Sequence, residues 1–410
     1  MAPIGLISPP LPSEALSLAL AQTKEVAFYG RDDWASALQH SPTSLSQLPR
    51  LTKAELREHS PHHLLPSRFN LSQLIAKGIV EEENTSGTSG ASVGVVFGVH
   101  WWAEQEARAL RQNNFIKKIL DEEPAARRAV FTTPGCSGVS CFARWLNFEQ
   151  RIIGSTLYVN QSRIPFSIPD DKLQSMAEET QRWQPKFLDV DPVHGMWFAL
   201  YCERHGLTFP SLKFIISSYE FTSVLHRRIM ERVFGVPVIN LYGSSETGHL
   251  LIETASSEMV TSPETAFLEL CDMDAQGIGQ LLVTTRTNPY LPLLRYEIGD
   301  LAEILPNGYR IHGRVRDALR RPDQSLLSTY QVDQTFRDIV GVAHYQVRQS
   351  TDGKCEVFLL PENPGDALSS TKAIVAERLT QLVGSPINIA VVPLIPPEDS
   401  GKFRLTARVA

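Results

Sequence analysis

The sequence predicts a large α/β N-terminal domain followed by a small, mobile C-terminal α+β domain. The large domain has parallel-type sheets flanked by helices, plus a small antiparallel β subdomain. Three observations carry this. Between Leu212 and Leu241, the apolar run Phe214-Ile215-Ile216, an amphipathic stretch from Thr222 to Phe234, a stop at Gly235 and a second apolar run from Val236 form a βαβ unit. Such units build parallel sheets. From Gly277 to Val315 the pattern changes to short strands with turns, at Gln280–Thr285, Leu293–Tyr296, Leu301–Leu305 and Tyr309–His312, which reads as antiparallel. Beyond Arg316 the tail has its own apolar periodicity: a helix at Val332–Val340, a hairpin over Val347–Leu360 turning at Asp352-Gly353, a helix at Thr371–Val383 and a strand at Ile387–Leu394. With 410 residues, the chain exceeds the size at which one core stops growing. The expected domains are therefore 1–313 and 314–410, joined near Gly313 to Asp317.

The remaining elements are shorter. The first 80 or so residues read as helices with proline-punctuated loops, including a helix from Leu51 to Arg57 capped by Thr52. Val93–Val99 reads as a strand, and Trp101–Leu120 has helical periodicity.

Composition narrows the class. Hydrophobic residues make up 42% and charged residues 20%, which excludes a disordered or fibrous chain. Lys+Arg 39 against Asp+Glu 45 gives a net charge of -6, which argues against a nucleic-acid binder held by a basic face. Five scattered cysteines read as reduced thiols rather than a disulfide framework. Pro3, Pro9, Pro10 and Pro12 precede the only mild apolar stretch near the start, without a basic leader. No run of about 18 apolar residues exists to span a bilayer. A cytoplasmic protein without a membrane partner, monomer or homodimer, is expected.

Five segments can carry chemistry. Thr85-Ser86-Gly87-Thr88-Ser89-Gly90 offers amides and hydroxyls to an anion, because small residues let the backbone approach closely; a plain flexible loop is the alternative. Tyr242-Gly243-Ser244-Ser245-Glu246-Thr247-Gly248 directly follows the second strand of the βαβ unit, where ligands of parallel sheets bind. Its ring can stack on a base, its hydroxyls can hold phosphate and its carboxylate can hold a hard cation such as Mg2+. In Arg295-Tyr296-Glu297-Ile298-Gly299-Asp300, an aspartate after glycine at a strand start can accept both hydroxyls of a ribose. Gly313-Arg314-Val315-Arg316-Asp317 stands at the domain junction, where arginine can meet phosphate or ribose. Ser400-Gly401-Lys402-Phe403-Arg404 places a lysine on a glycine-flexible loop. A decoy overlaps the first segment. Gly90-Ala91-Ser92-Val93-Gly94 fits the nucleophile elbow of hydrolases, but the elbow needs a helix directly after it and Val93–Val99 reads as a strand.

The order and spacing of these segments resemble the adenylate-forming enzymes, and within them the phenylacetate-CoA ligase-like branch. Leu48-Pro49-Arg50-Leu51-Thr52-Lys53-Ala54-Glu55-Leu56-Arg57 looks like the segment that precedes that branch's phosphate loop. The resemblance covers Leu48 to Val409. It implies that Thr85, Ser86, Gly87, Thr88, Ser89 and Gly90 hold the β- and γ-phosphates of ATP. It implies that Tyr242 stacks on adenine beside Gly243 and Ser244, that Ser245 contacts the α-phosphate and that Glu246 binds Mg2+. Glu220, in Ser218-Tyr219-Glu220-Phe221, falls where the family has Gly-Ala-Glu-Pro along the adenine cleft. Asp300 is expected on the ribose hydroxyls with Arg314 assisting, and Lys402 between the attacking carboxylate and the α-phosphate.

The implied reaction is attack by a carboxylate on the α-phosphate of ATP, giving an acyl-adenylate and pyrophosphate. Both reactants are anions, so Mg2+ and Lys402 must offset their repulsion. An acyl pocket suited to a flat apolar ring is implied around Gly135, Cys136, Phe142, Tyr158, Leu241 and Gly243, with Trp197 a further wall and Arg144 either a carboxylate anchor or a surface residue. The acceptor would be coenzyme A, a carrier protein, or another thiol or amine, and a natural-product pathway is suggested by analogy. The sequence also departs from the family. Ala91 stands where many members have lysine, and Arg316 takes the hinge position. Leu250 to Leu270 contains no Cys or His, so no structural zinc is expected, and Cys202-Glu203-Arg204-His205 reads as surface helix residues. The alternatives are an acyl-protein synthetase acting on fatty acids, a non-catalytic nucleotide-binding protein of the same fold, and a hydrolase that would need no ATP.

Overall fold

The structure is a computed structural model and describes residues 13–84, 93–132, 146–159, 162–254 and 258–409. Two compact units divide the chain. One comprises residues 1–113 and 242–311, the other 114–241 and 312–410.

In the first unit, the strands Gly248–Glu253, Met259–Thr261, Ala266–Cys271, Ile278–Thr285, Tyr296–Leu305 and Gly308–Arg314 lie in one antiparallel arrangement. Leu281, Val283 and Tyr296 from these strands, with Leu293 from the connection between two of them, pack with Phe28, Tyr29, Trp34, Leu51 and Leu56 in one buried cluster. Tyr29 is buried completely and still satisfies its hydroxyl, donating to the Pro292 carbonyl at 2.8 Å and accepting the Leu294 amide at 3.0 Å. A separate hairpin pairs Val80–Asn84 with Gly94–Gly98, closing at Asn84 and Gly94. A strand therefore follows Ser92, as the sequence predicts, and the strand-to-helix context of a hydrolase elbow is absent there.

Two expectations shift within this unit. The strand predicted at Leu293–Tyr296 does not form, since residues 293–295 are not strand, and the one predicted at Leu301–Leu305 begins earlier, as Tyr296–Leu305, whose register with its neighbour jumps between Gln280 and Leu282. Gly299 has φ +88 in that irregular stretch, a backbone conformation that glycine adopts without cost. The helix ending at Leu110 belongs here too. Trp101–Leu120 is interrupted at 111–113, and a second helix covers Asn114–Glu122.

The second unit holds the predicted parallel sheet. Val238–Ser244 begins beside Phe214–Ser217, followed by Phe187–Val190, Arg128–Phe131 and Thr156–Tyr158, all parallel neighbours. The connecting helix Val224–Phe234 starts on Ser223, whose side chain accepts the Leu225 amide, and ends on Gly235 at φ +67. Helix Pro192–Arg204 is apolar nearly all round and is buried accordingly. Residues 312–410 bring the hairpin Val342–Gln349 with Cys355–Pro361, flanked by Ile387–Val391 and Thr406–Arg408 and covered by helix Ser369–Val383. The hairpin turns at Ser350–Lys354 with Gly353 at φ +84. Val332–Val340 is not one helix; Thr329–Asp333 ends early and a 3-10 turn, Gln334–Phe336, continues it. Among the described residues, no helix is long and apolar enough to cross a membrane.

Candidate active site

In the first unit, Glu246 is the centre of the predicted Tyr-Gly segment. Its side chain is only 4% exposed, and Oε1 lies 3.1 Å from Lys53 Nζ while accepting the Tyr296 hydroxyl at 3.2 Å. Burial alone would push this carboxyl up. The charge of Lys53, with hydrogen bonds from Ser244, its own backbone and Lys53, outweighs burial and holds it below the ordinary carboxylate range.

Lys53 reaches Glu246 because the chain before it is fixed. Thr52 caps helix Lys53–His59 through a capping box with Glu55, which sets the direction in which Lys53 leaves the backbone. Leu51 bridges to Tyr296, with the Leu51 amide donating to Arg295 at 3.2 Å and the Glu297 amide donating to Leu51 at 2.9 Å. Arg50 is clamped on Asp272 at 2.6 and 3.1 Å. Arg295, the first residue of the Gly-Asp segment, is buried and bonded within the protein. Its guanidinium binds Glu269 at 3.2 Å and donates to the Leu48 and Ser46 carbonyls. The segment Leu48–Arg57 and the Gly-Asp segment are thus stitched together along their length.

The other nucleotide candidates in this unit also converge. Tyr242 donates its hydroxyl to Asp300 Oδ2 at 2.6 Å. Asp300 is not at a strand start as expected; it lies within Tyr296–Leu305, immediately after Gly299. Ser244 Oγ lies 3.0 Å from Thr247 Oγ1, and Ser245 is half-buried. Gly243 is exposed, and a Cβ there would collide with the Gly248 carbonyl, so the turn admits only glycine. Gly248, at φ +71, presses on Trp101, where a Cβ would come within 2.9 Å of the ring.

In the second unit, Lys402 and Glu220 come together. A turn closed by Glu398 N to Lys402 O at 2.8 Å, with Gly401 at φ +84, presents Lys402. Its Nζ donates to the Tyr219 carbonyl at 3.0 Å, and the next amide, Phe403 N, donates to Glu220 Oε1 at 2.8 Å. The junction segment is tied to the same turn. Arg316 binds Glu398 Oε2 at 3.2 Å, Arg404 binds Glu398 Oε1 at 2.9 Å, and Arg404 also pairs with Asp317. Burial pushes the Asp317 carboxyl up against the opposing pull of Arg404, Arg316 and Arg314. Arg314 itself ends strand Gly308–Arg314 and is half-buried.

Of the acyl-pocket candidates, Leu241 is buried and Tyr158, half-buried, ends strand Thr156–Tyr158. Trp197 packs edge-on against Phe166, with centroids 5.2 Å apart. The phosphate-loop residues Thr85 to Gly90, together with Ala91, Gly135, Cys136, Phe142 and Arg144, lie outside the described residues. Cys202 is not on the surface. It is fully buried in helix Pro192–Arg204, burial pushes its thiol far up, and His205 stacks on Tyr201 at 4.3 Å instead of pairing with it.

The fold resembles that of solved acyl-CoA ligases, and the chain is similar in sequence to two phenylacetate-coenzyme A ligases. No family model matches it. It is similar to CapK of Staphylococcus aureus, 26% identical over 249 residues, spanning 57% of this chain and 55% of CapK. The chain thus aligns with about half the length of that relative. Phenylacetate-coenzyme A ligase of Thermus thermophilus is 24% identical over 450 residues, covering 96% of this chain and 95% of the other. Among solved structures, a 2-hydroxyisobutyryl-CoA ligase in the postadenylation state, in complex with R3-HIB-AMP, superposes with a TM-score of 0.69. It is 16% identical and covers 97% of this chain and 88% of the other.

Sequence reasoning missed Lys53 and Tyr296 as site residues. Lys53 was visible only as one letter of the Leu48–Arg57 segment. The signal that could have found it is the capping box, which puts the lysine at the first helical position.

Proposed function

We propose that the chain activates a small aromatic carboxylic acid with ATP as an acyl-adenylate and transfers the acyl group to coenzyme A or another thiol or amine. The observation that carries this is the buried Glu246, held ionised between Lys53 and Tyr296 in the segment that follows the parallel sheet. A buried carboxylate kept charged is costly unless it serves a cation or a polar ligand.

Glu246 fits Mg2+ because it is a hard anionic oxygen donor with the Ser244 and Ser245 hydroxyls beside it in sequence. When bound, Mg2+ supplies charge neutralisation on the triphosphate. The protein's own groups do the rest. Lys53 orients Glu246 and adds positive charge. Tyr242 orients Asp300, which takes the ribose hydroxyls, with Arg314 assisting. Thr85 to Gly90 cradle the outer phosphates. Lys402 offsets the charge of the attacking carboxylate and the α-phosphate. Residues 1–313 would form the nucleotide- and acid-binding domain and 314–410 the lid that carries Lys402. Gly135, Cys136, Phe142, Tyr158, Leu241 and Gly243 would line the acid. The similarity to the phenylacetate-coenzyme A ligase of Thermus thermophilus over 96% of this chain supports an aromatic acid and coenzyme A.

The test is pyrophosphate release with ATP and Mg2+ across aromatic and fatty acids, with and without coenzyme A. Release that depends on one aromatic acid and rises with coenzyme A is expected. Release with fatty acids alone, or none with any acid, overturns the reading.

A further inference from the structure

Helix Trp101–Leu110 packs on strand Gly248–Glu253. Trp101 and Gln105 are four residues apart and are therefore neighbours on the helix surface. Gly248 sits against both. A Cβ on Gly248 would come within 2.9 Å of the Trp101 ring and 3.0 Å of the Gln105 side chain, so only bare backbone fits there. The two side chains are themselves fixed. Trp101 is 4% exposed and Gln105 is fully buried. Both donate to one hydroxyl, Thr287 Oγ1, with Trp101 Nε1 at 3.3 Å. A hydroxyl oxygen has two lone pairs, and these two donors use both.

The same indole also meets the strand that follows the predicted phosphate loop. Phe97, on Gly94–Gly98, stacks on Trp101 with centroids 5.4 Å apart and planes 24° from parallel. Trp102 completes the wall. It stands edge-on to Phe97 at 6.0 Å, to Trp101 at 5.2 Å, and to His249, the residue after Gly248, at 5.4 Å. The carbonyl of Gly248 faces the predicted Tyr-Gly segment. A Cβ on Gly243, between Tyr242 and Ser244, would collide with it. Contact therefore runs from Phe97 through Trp101 and Gly248 to Gly243. Packing this close transmits a displacement rather than absorbing it.

We propose that Trp101 is a positioning residue for ATP: its ring sets the Tyr242–Gly248 turn against strand Gly94–Gly98, so that the two nucleotide segments hold one arrangement before ATP arrives. This rests on reading those segments as nucleotide-binding. An indole suits the task, because its N–H is anchored at Thr287 while its far edge lies flat on backbone. A site arranged in advance loses less freedom when its ligand binds. The effect of Trp101 therefore falls on ATP affinity and not on the chemical step. A ring that only filled the core would cost stability when removed and leave ATP affinity alone.

Trp101→Leu removes the edge of the ring that meets Gly248. Trp34→Leu, beside Phe28 and Tyr29, is the comparison for an indole lost elsewhere in the same core. In the full chain, the KM for ATP should rise about tenfold or more in Trp101→Leu while kcat stays within about threefold, and Trp34→Leu should leave both near the parent. An unchanged KM in Trp101→Leu, or an equal rise in both variants, overturns the proposal. Hydrogen exchange read by mass spectrometry needs no substrate. The peptide covering 242–253 should exchange about tenfold faster or more in Trp101→Leu and at the parent rate in Trp34→Leu. Unchanged exchange in Trp101→Leu overturns the proposal. Adding Gly248→Ala reads the contact itself. Its methyl collides with the indole in the parent and meets a shorter side chain in Trp101→Leu, while the strain at φ +71 is the same in both. The added substitution should lower the urea midpoint less in the Trp101→Leu background, and equal losses overturn the contact. If the parent releases pyrophosphate with no acid, the proposed function falls and equilibrium ATP binding replaces KM. Binding about tenfold weaker in Trp101→Leu then supports the positioning role, and equal or absent binding overturns it.

Discussion

Lys53 Nζ sits 3.1 Å from Glu246 Oε1, and this pair decides the charge state of the candidate site. Without Lys53, burial is unopposed by its main counter-charge, so the Glu246 carboxyl rises. A carboxylate held low serves its ligand above its folded-state value and fails as pH falls through that value. In Lys53→Met, the acid limb of pyrophosphate release should move to higher pH, and the rate at neutral pH should fall about tenfold or more. A pH profile that matches the parent would show that Lys53 has no part in the site. Glu246→Gln should cost roughly a hundred- to a thousandfold at every pH, as loss of a positioned charge does.

The hydroxyl of Tyr242 gives a second, separable effect. It donates to Asp300 at 2.6 Å, and hydrogen bonds to charged groups contribute about 1.5–3 kcal/mol. Tyr242→Phe keeps the ring for stacking and removes only the bond that orients Asp300. The KM for ATP should rise about tenfold or more while kcat changes little. A fall in kcat at constant KM would place Tyr242 in the chemical step instead.

How much of this was legible depended on the range of the interaction. The helix Val224–Phe234 could be read because its apolar stripe and its glycine stop are local; the structure ends it on Gly235 and adds Ser223 as the cap that the reading from Thr222 places inside it. The hairpin at Asp352-Gly353 was legible for the same reason. The strand position of Asp300 was misread, since the register jump at Gln280 and Leu282 depends on a neighbouring strand. Lys53 and Tyr296 went unseen because their meeting with Glu246 comes from the Leu51–Tyr296 bridge, a pairing of distant segments. Trp101 gave no sequence signal beyond helical periodicity, because its contact with Gly248 joins segments far apart in the chain.

Gly243 offers a test of the site's backbone. A Cβ there meets the Gly248 carbonyl, backbone against backbone, so nothing flexible can yield. Gly243→Ala should destabilise the chain by about 1–3 kcal/mol in urea unfolding, as overpacking does. It should also raise the KM for ATP, because Tyr242 and Ser244 flank it. Gly235→Ala, where a Cβ meets nothing within 4 Å, is the comparison, since its only cost is the left-handed backbone at φ +67. If both variants lose the same stability and ATP binding is intact in both, the tight turn at Gly243 has no functional weight.

Lys402 separates binding from chemistry. Its ammonium donates to a backbone carbonyl, Tyr219 O, and not to a carboxylate. A neutral partner leaves its full positive charge available, whereas an ion pair would have to be broken before the lysine could meet an anionic transition state. Lys402→Ala should therefore lower the adenylation rate roughly a hundred- to a thousandfold. ATP affinity should fall far less, because the nucleotide contacts proposed for Tyr242, Asp300 and Glu246 are untouched. Lys402→Arg should recover little, since a planar guanidinium does not reproduce a compact ammonium at a single carbonyl. Single-turnover formation of the acyl-adenylate, measured beside equilibrium ATP binding, reads both quantities. A loss confined to ATP affinity would make Lys402 a binding residue and would move the charge stabilisation of the reaction to Lys53.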